Sequence, residues 1–203
     1  MTYWSASFQK KSFSFGDVAG TSFYPAKPLG CYGDGGAIFT NDNNLASKCK
    51  AIRIHGTTTD KYNSELIGLN GRLDSMQAAV LLEKLTIFDE ELDLRQNMSN
   101  YYRKNLQNCQ YIPNNYTSSH ALFSILLHSS QKREEVIHKL SENKIPSVIY
   151  YKTPLHLMEA FSSLGYKEGD FPVSEGLSKR ILSLPMHPYL SKGDVELIID
   201  QIQ

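Results

Sequence analysis

Ser22-Phe23-Tyr24-Pro25-Ala26-Lys27-Pro28-Leu29-Gly30-Cys31-Tyr32-Gly33-Asp34-Gly35-Gly36-Ala37 sets one lysine between two prolines and follows it with four glycines. Each proline locks its own φ at about −65° and pushes the residue before it out of helical geometry, so Lys27 is expected on a rigid, extended segment. Gly30, Gly33, Gly35 and Gly36 permit positive φ and close backbone approach, as a loop around a bound group requires. Ser22 precedes the lysine and offers a hydroxyl to a phosphate. From spacing alone the stretch fits a presented nucleophile, and it also fits a Pro/Gly-rich surface turn with an ordinary solvated lysine.

Working outward, residues 18–24 read as a buried strand leading to the lysine and residues 36–41 as the strand that returns. Asp42 or Asn43 then caps a helix over residues 44–53, with Leu45, Ala46, Cys49 and Ile52 on one face. His55-Gly56 ends it, and the polar, turn-rich residues 57–66 read as an exposed loop able to reach a neighbouring subunit. Helical spacing over residues 73–85 and again over 89–106 predicts two helices with a short break between them. After residues 113–115 the pattern predicts a strand (120–127), an amphipathic helix (131–143), a strand (145–151) and helices near 171–181 and 192–202. Residues 1–14 carry neither a capping signal nor a helical period.

Composition narrows the function. The chain has 203 residues, and its 21 Lys plus Arg match its 21 Asp plus Glu, so no global field favours nucleic acid or an anionic membrane. Cys31, Cys49 and Cys109 lack metal-ligand spacing and read as buried thiols of a reducing cytoplasm. His55, His120, His128, His138 and His156 show no metal pattern either. With no apolar run long enough to span a bilayer and no signal-peptide pattern, the expectation is a cytoplasmic protein.

The quoted stretch, with Phe15-Gly16-Asp17 before it, resembles the DegT/DnrJ/EryC1/StrS family of sugar aminotransferases. Gly68-Leu69-Asn70-Gly71-Arg72-Leu73-Asp74-Ser75-Met76-Gln77-Ala78-Ala79 is similar to the family's second signature, and Ser183-Leu184-Pro185-Met186-His187-Pro188 to its third. The resemblance implies an α/β fold: the C-terminal half of a fold type I aminotransferase. Residues 1–88 would form part of the large mixed-sheet domain, and 89–203 a connecting helix and small domain.

The resemblance further implies pyridoxal 5'-phosphate as cofactor, a nucleotide-linked keto-sugar and glutamate as substrates, and a homodimer with a shared active site. Lys27 is then the amine that bonds the cofactor's aldehyde and later moves a proton, work that needs part of the lysine population neutral. Ser22 is a ligand of the cofactor phosphate, and Asn70 sends its amide to the phosphate of the neighbouring subunit's cofactor. Arg72 suits the carboxylate of a 3-oxo-glucuronate sugar nucleotide, since a guanidinium fork matches a carboxylate; alternatively it pairs with Asp74 or a structural carboxylate. His187 approaches the sugar, or else is a hydrogen-bonded core residue. Tyr150 opens a departure: Tyr150-Tyr151-Lys152-Thr153-Pro154-Leu155-His156 stands where many members have His-Tyr-Pro before Pro-Leu-His. A substrate-side histidine is thereby replaced by a phenol.

The match begins near the family's midpoint, so the ring-stacking aromatic, the phosphate-cradling helix terminus and the Asp and Gln that hold the pyridine ring have no counterpart. Two expectations follow. The first is one half of an aminotransferase serving surface-polysaccharide sugar synthesis. The second is a silent remnant or accessory chain that keeps a dimer surface or nucleotide-sugar binding. On either, residues 18–24 would belong to a parallel sheet with bare edges. The chain alone would be oligomeric and would turn over no keto-sugar, and residues 1–70 would exchange amide hydrogens faster than 120–203.

Overall fold

The computed structural model describes residues 6–7, 10–113 and 116–203, with side chains from residue 11 onward. The readings made for residues 1–5, 8–9 and 114–115 lie outside the described residues. The chain divides into two compact units: Met1–Leu92 with Ile112–Ala121, and Asp93–Tyr111 with Leu122–Gln203.

In the first unit a short β1 (Ala6–Ser7) pairs antiparallel with β2 (Lys10–Lys11). β3 (Val18–Ser22) then pairs antiparallel with β4 (Gly36–Thr40), in register from Val18 opposite Thr40 to Ser22 opposite Gly36. Residues 36–40 thus form the returning strand that the sequence predicts. The segment between β3 and β4 contains no helix and makes no crossover, so the chain comes straight back alongside itself. β3 is not buried throughout. Val18 is 51% exposed, and Ile38 of β4, on the same sheet face, is 59% exposed. The opposite face carries Phe39, which stacks on Phe13 with centroids 4.9 Å apart. A groove of about 1040 Å³ runs here, lined by Phe13, Phe39, Ala46, Cys49 and Arg53 among others.

α1 (Asn43–Ile52) begins where Asp42 accepts hydrogen bonds from the N–H groups of Asn44 and Leu45. That N-cap satisfies donors that a helix start otherwise leaves unpaired. α2 (Ser75–Asn105) is one continuous helix of 31 residues, not the expected pair. No Gly or Pro interrupts it, Thr86 turns its hydroxyl back onto the Glu83 carbonyl at 2.6 Å, and Phe88 is buried at the expected break. The apolar centre of the first unit is Phe23, Leu29, Cys31, Leu81 and Phe88, with Leu73 and Val80 packed against it.

The second unit holds β5 (Phe123–Leu126) antiparallel to β6 (Ile181–Leu184); α3 (Ser130–Glu142) and α5 (Lys192–Asp200) supply residues to the core around the pair, and α4 (Pro172–Arg180) lies against α3 and leads into β6. Tyr102, Phe123, Val136, Leu140, Leu182 and Val195 form its fully buried centre. Two differences from the sequence reading stand out. Residues 145–151 make only a single bridge, Val148 to Ser183, because Pro146 removes a donor from the run. The segment between that bridge and α4 coils into two 3-10 turns, Leu155–Leu157 and Glu159–Leu164. No helix among the described residues is long and apolar enough to cross a membrane.

Candidate active site

β3 ends at Ser22 and the chain bends at once. The Lys27 N–H donates to the Tyr24 carbonyl at 2.8 Å, so residues 24–27 form a β-turn with Pro25 at its second position, where a fixed φ suits the bend. The expected extended run around Lys27 is therefore a turn. The same restriction that keeps proline out of helices here favours the corner. Phe23 closes the loop on both sides. Its N–H donates to the Gly35 carbonyl, and its carbonyl accepts the Cys31 N–H, each at 2.8 Å. The buried Cys31 thiol lies 3.1 Å from the carbonyl oxygens of Phe23 and Gly33. Lys27 thus sits on a loop whose neck is knotted by backbone bonds over a small apolar core. It is half-buried, and its ammonium has no hydrogen-bond or ion-pair partner among the described residues.

The glycines work differently from their expected role. None of Gly30, Gly33, Gly35 or Gly36 has positive φ. What the loop needs is the missing side chain. A Cβ on Gly30 would lie 2.7 Å from the Pro25 carbonyl oxygen and 2.8 Å from that of Tyr24. One on Gly33 would lie 3.1 Å from Nε2 of Gln77. The glycines let the loop close on itself and on α2.

Ser22 is the last residue of β3, and its Oγ accepts the Tyr24 N–H at 3.2 Å, which leaves the hydroxyl proton to donate elsewhere. Asn70 and Arg72 follow the 57–69 loop. Leu69 N–H donates to Ile52 and Gly71 N–H to Arg53, both at 2.8 Å, pinning this strip to the end of α1. Both side chains are exposed and they touch: Arg72 Nε–H donates to Asn70 Oδ1 at 3.1 Å. The alternative reading, a pair between Arg72 and Asp74 or another carboxylate, is not formed among the described residues.

Two further candidates lie in the second unit. His187 follows β6 on a segment held by the Tyr102 hydroxyl on the Pro185 carbonyl and by Arg95 Nη1 on the Met186 carbonyl, both 3.1 Å. Its Nδ1 accepts the Tyr189 N–H at 3.2 Å, which puts the proton of the neutral ring on Nε2. Partial burial and then the Arg95 charge hold its pKa below the usual histidine value, against a smaller pull from Asp194. Tyr150 is half-buried, meets Tyr151 edge-on at 5.3 Å, and lines a cleft of about 370 Å³ with Leu155, Met158, Leu177 and Ile181. In the antiparallel register set by Val148 and Ser183, Tyr150 runs toward Ile181, so it and His187 lie at opposite ends of that pairing.

Sequence reasoning missed two residues. Gln77, in the first turn of α2, accepts the Tyr32 N–H at 2.8 Å. Its partner is far away in the chain, and no local spacing points to it. Glu175 is buried in α4 and accepts the N–H groups of Gly169 and Phe171 and the His156 ring, the last at 2.9 Å. Burial alone would raise its pKa, but these donors outweigh burial and hold the carboxyl below its usual range.

Residues 4–203 match the model of the DegT/DnrJ/EryC1/StrS aminotransferase family. The chain is 39% identical over 193 residues to UDP-2-acetamido-2-deoxy-3-oxo-D-glucuronate aminotransferase of Pseudomonas aeruginosa, covering 93% of this chain and 52% of that one. Among solved structures, a DegT DnrJ EryC1 StrS aminotransferase from Brucella abortus superposes with a TM-score of 0.89 at 45% identity, over 98% of this chain and 53% of that one. DesV of S. venezuelae, solved in complex with a ketimine intermediate, superposes with a TM-score of 0.90 at 31% identity, over 98% and 54%. The chain spans about half the length of the relatives it matches.

Proposed function

The chain belongs to the DegT/DnrJ/EryC1/StrS aminotransferase family, and from that premise we propose that it carries the lysine side of a pyridoxal-phosphate site. That site moves an amino group from glutamate to a nucleotide-linked keto-sugar of the UDP-3-oxo-N-acetylglucosaminuronate type. The setting is cytoplasmic synthesis of surface-polysaccharide sugars, in a homodimer whose copies share their sites. In this reading residues 1–88 belong to the cofactor-binding domain and 89–203 to the connecting helix and small domain.

The observation that carries the reading is the half-buried, unpartnered Lys27 ammonium on a tightly closed loop, with a serine hydroxyl at its entrance free to donate. An amine nucleophile for an aldehyde and a hydroxyl donor for a phosphate are what one such ligand needs, so the residues fit the cofactor. Pyridoxal phosphate, when bound, supplies the aldehyde and the electron sink. Ser22 Oγ–H would hold a phosphate oxygen, and Lys27 Nζ would be the amine that takes the aldehyde carbon, its oxygen leaving as water, and that later carries the proton. Asn70 keeps its Nδ2–H groups for a phosphate of the partner copy, because its Oδ1 is engaged by Arg72. That bond uses Arg72 Nε and leaves both terminal nitrogens for a sugar carboxylate. His187, held neutral, offers Nε2–H to a sugar oxygen, and the Tyr150 phenol stands in for the family's histidine.

The test is borohydride reduction in the presence of pyridoxal phosphate, followed by peptide mapping. The label is expected on Lys27. Label spread over several exposed lysines would sink the assignment and favour the silent accessory chain.

A further inference from the structure

We infer that Gln77 is a positioning residue for the Lys27 loop, tying it to the segment that bears Asn70 and Arg72; the inference rests on the reading of Lys27 just given. Three observations on different elements converge. Gln77 Oε1 accepts the Tyr32 N–H at 2.8 Å, joining the loop's glycine-rich arm to the first turn of α2. Gly33 leaves room for that amide, since its absent Cβ would stand 3.1 Å from Gln77 Nε2. Leu73, between Arg72 and α2, packs on the core that also holds Phe23 and Cys31. The strip 70–73 therefore enters α2 against the floor of the lysine loop, and Gln77 fastens the loop's far arm to the same helix start. Phe23 and Cys31 fix the loop internally, but such bonds cannot set where the loop stands relative to Asn70. Gln77 does so by bridging two segments that carry different parts of the site. A half-buried amide oxygen that accepts a backbone N–H is well suited to this, because removing it leaves that N–H with no protein acceptor.

The experiment compares Gln77→Met, which keeps the length and loses the acceptor, with Gln77→Glu, which keeps an acceptor oxygen and a charge favoured at a helix N-terminus. Two readouts are taken on the whole chain: amide exchange in the peptide spanning residues 24–35, and selectivity of pyridoxal-phosphate labelling for Lys27 over other lysines after borohydride reduction. Gln77→Met should raise exchange in that peptide by about tenfold while the peptide of α1 is unchanged, and should spread the label, with Gln77→Glu restoring both. Unchanged exchange in residues 24–35 for Gln77→Met overturns the inference. So does a rise shared equally by α1, or an equal loss in Gln77→Glu, since each marks a merely structural residue. If the parent chain itself fails to label Lys27, the reading of Lys27 falls, while the exchange pattern still decides whether Gln77 sets the loop.

Discussion

Replacing Gly30 by alanine puts a methyl group where two carbonyl oxygens already stand. The new Cβ would meet the Pro25 oxygen at 2.7 Å and the Tyr24 oxygen at 2.8 Å, with the Pro25 carbonyl carbon at 3.0 Å. Carbon and oxygen normally approach to about 3.3 Å, so the overlap is roughly half an ångström against backbone on two sides. Side chains cannot swing aside to relieve it; the turn over residues 24–27 must move. Overpacking of this kind costs about 1–3 kcal/mol, and the stiffer unfolded chain returns about 0.4–1 kcal/mol because Gly30 does not need positive φ. The net expectation is a loss of about 1–2 kcal/mol in urea unfolding followed by circular dichroism, with a lower pyridoxyl yield at Lys27. Gly33→Ala is the control. Its nearest neighbour is a side-chain amide at 3.1 Å that can give way, so the loss should stay below about 1 kcal/mol. If Gly30→Ala matches Gly33→Ala in both stability and labelling, the closed-loop account of Lys27 is refuted.

Arg72→Ala, in an assembly competent for turnover, should raise KM about tenfold or more for a uronate sugar nucleotide and little for an uncharged hexose analogue; equal losses would reduce Arg72 to a prop for Asn70. Glu175→Gln should flatten the acid side of the stability curve. A carboxyl whose folded pKa is depressed adds stability above its unfolded value of about 4.3, and that stability is lost as pH falls through the folded value. Urea midpoints of parent and variant should therefore converge toward pH 3, and parallel curves would dismiss the His156–Glu175 clamp as a stabilising element.

How much of this could be read from the chain alone depends on how local the cause is. Asp42 and Ser129 cap α1 and α3 through side chains acting within three residues, and spacing suffices to place those helices. The stretch around Lys27 announces a constrained loop, because Pro25 and Gly30 act on their own neighbourhood. Its shape was another matter. Whether Pro25 extends or bends the chain depends on where the Tyr24 carbonyl finds a donor, and that donor is the Lys27 N–H itself. The break expected before residue 89 fails because Phe88 is drawn into a core assembled from Phe23 and Leu29, far upstream. Gln77 and β6 were invisible because each is defined by a partner distant in sequence, whereas Glu175 is held by the nearby Gly169 and Phe171 N–H groups as well as by His156, in a turn-rich stretch with no regular spacing to mark it.

That distance has a kinetic side. β5 and β6 meet only after a loop of roughly 55 residues closes between Leu126 and Ile181, whereas β3 and β4 meet across roughly 14 residues between Ser22 and Gly36. On loop-closure entropy alone, the longer closure costs about 1.2 kcal/mol more. The strand pair of the second unit is therefore the costlier of the two to nucleate. α3, capped by Ser129, lies within that loop, and its formation would shorten the span to be closed before Phe123 meets Leu184. The lysine hairpin has no such dependence. During synthesis it can zip as soon as residue 40 clears the ribosome, so the Lys27 segment would reach its native turn before the unit that follows it has any sheet at all.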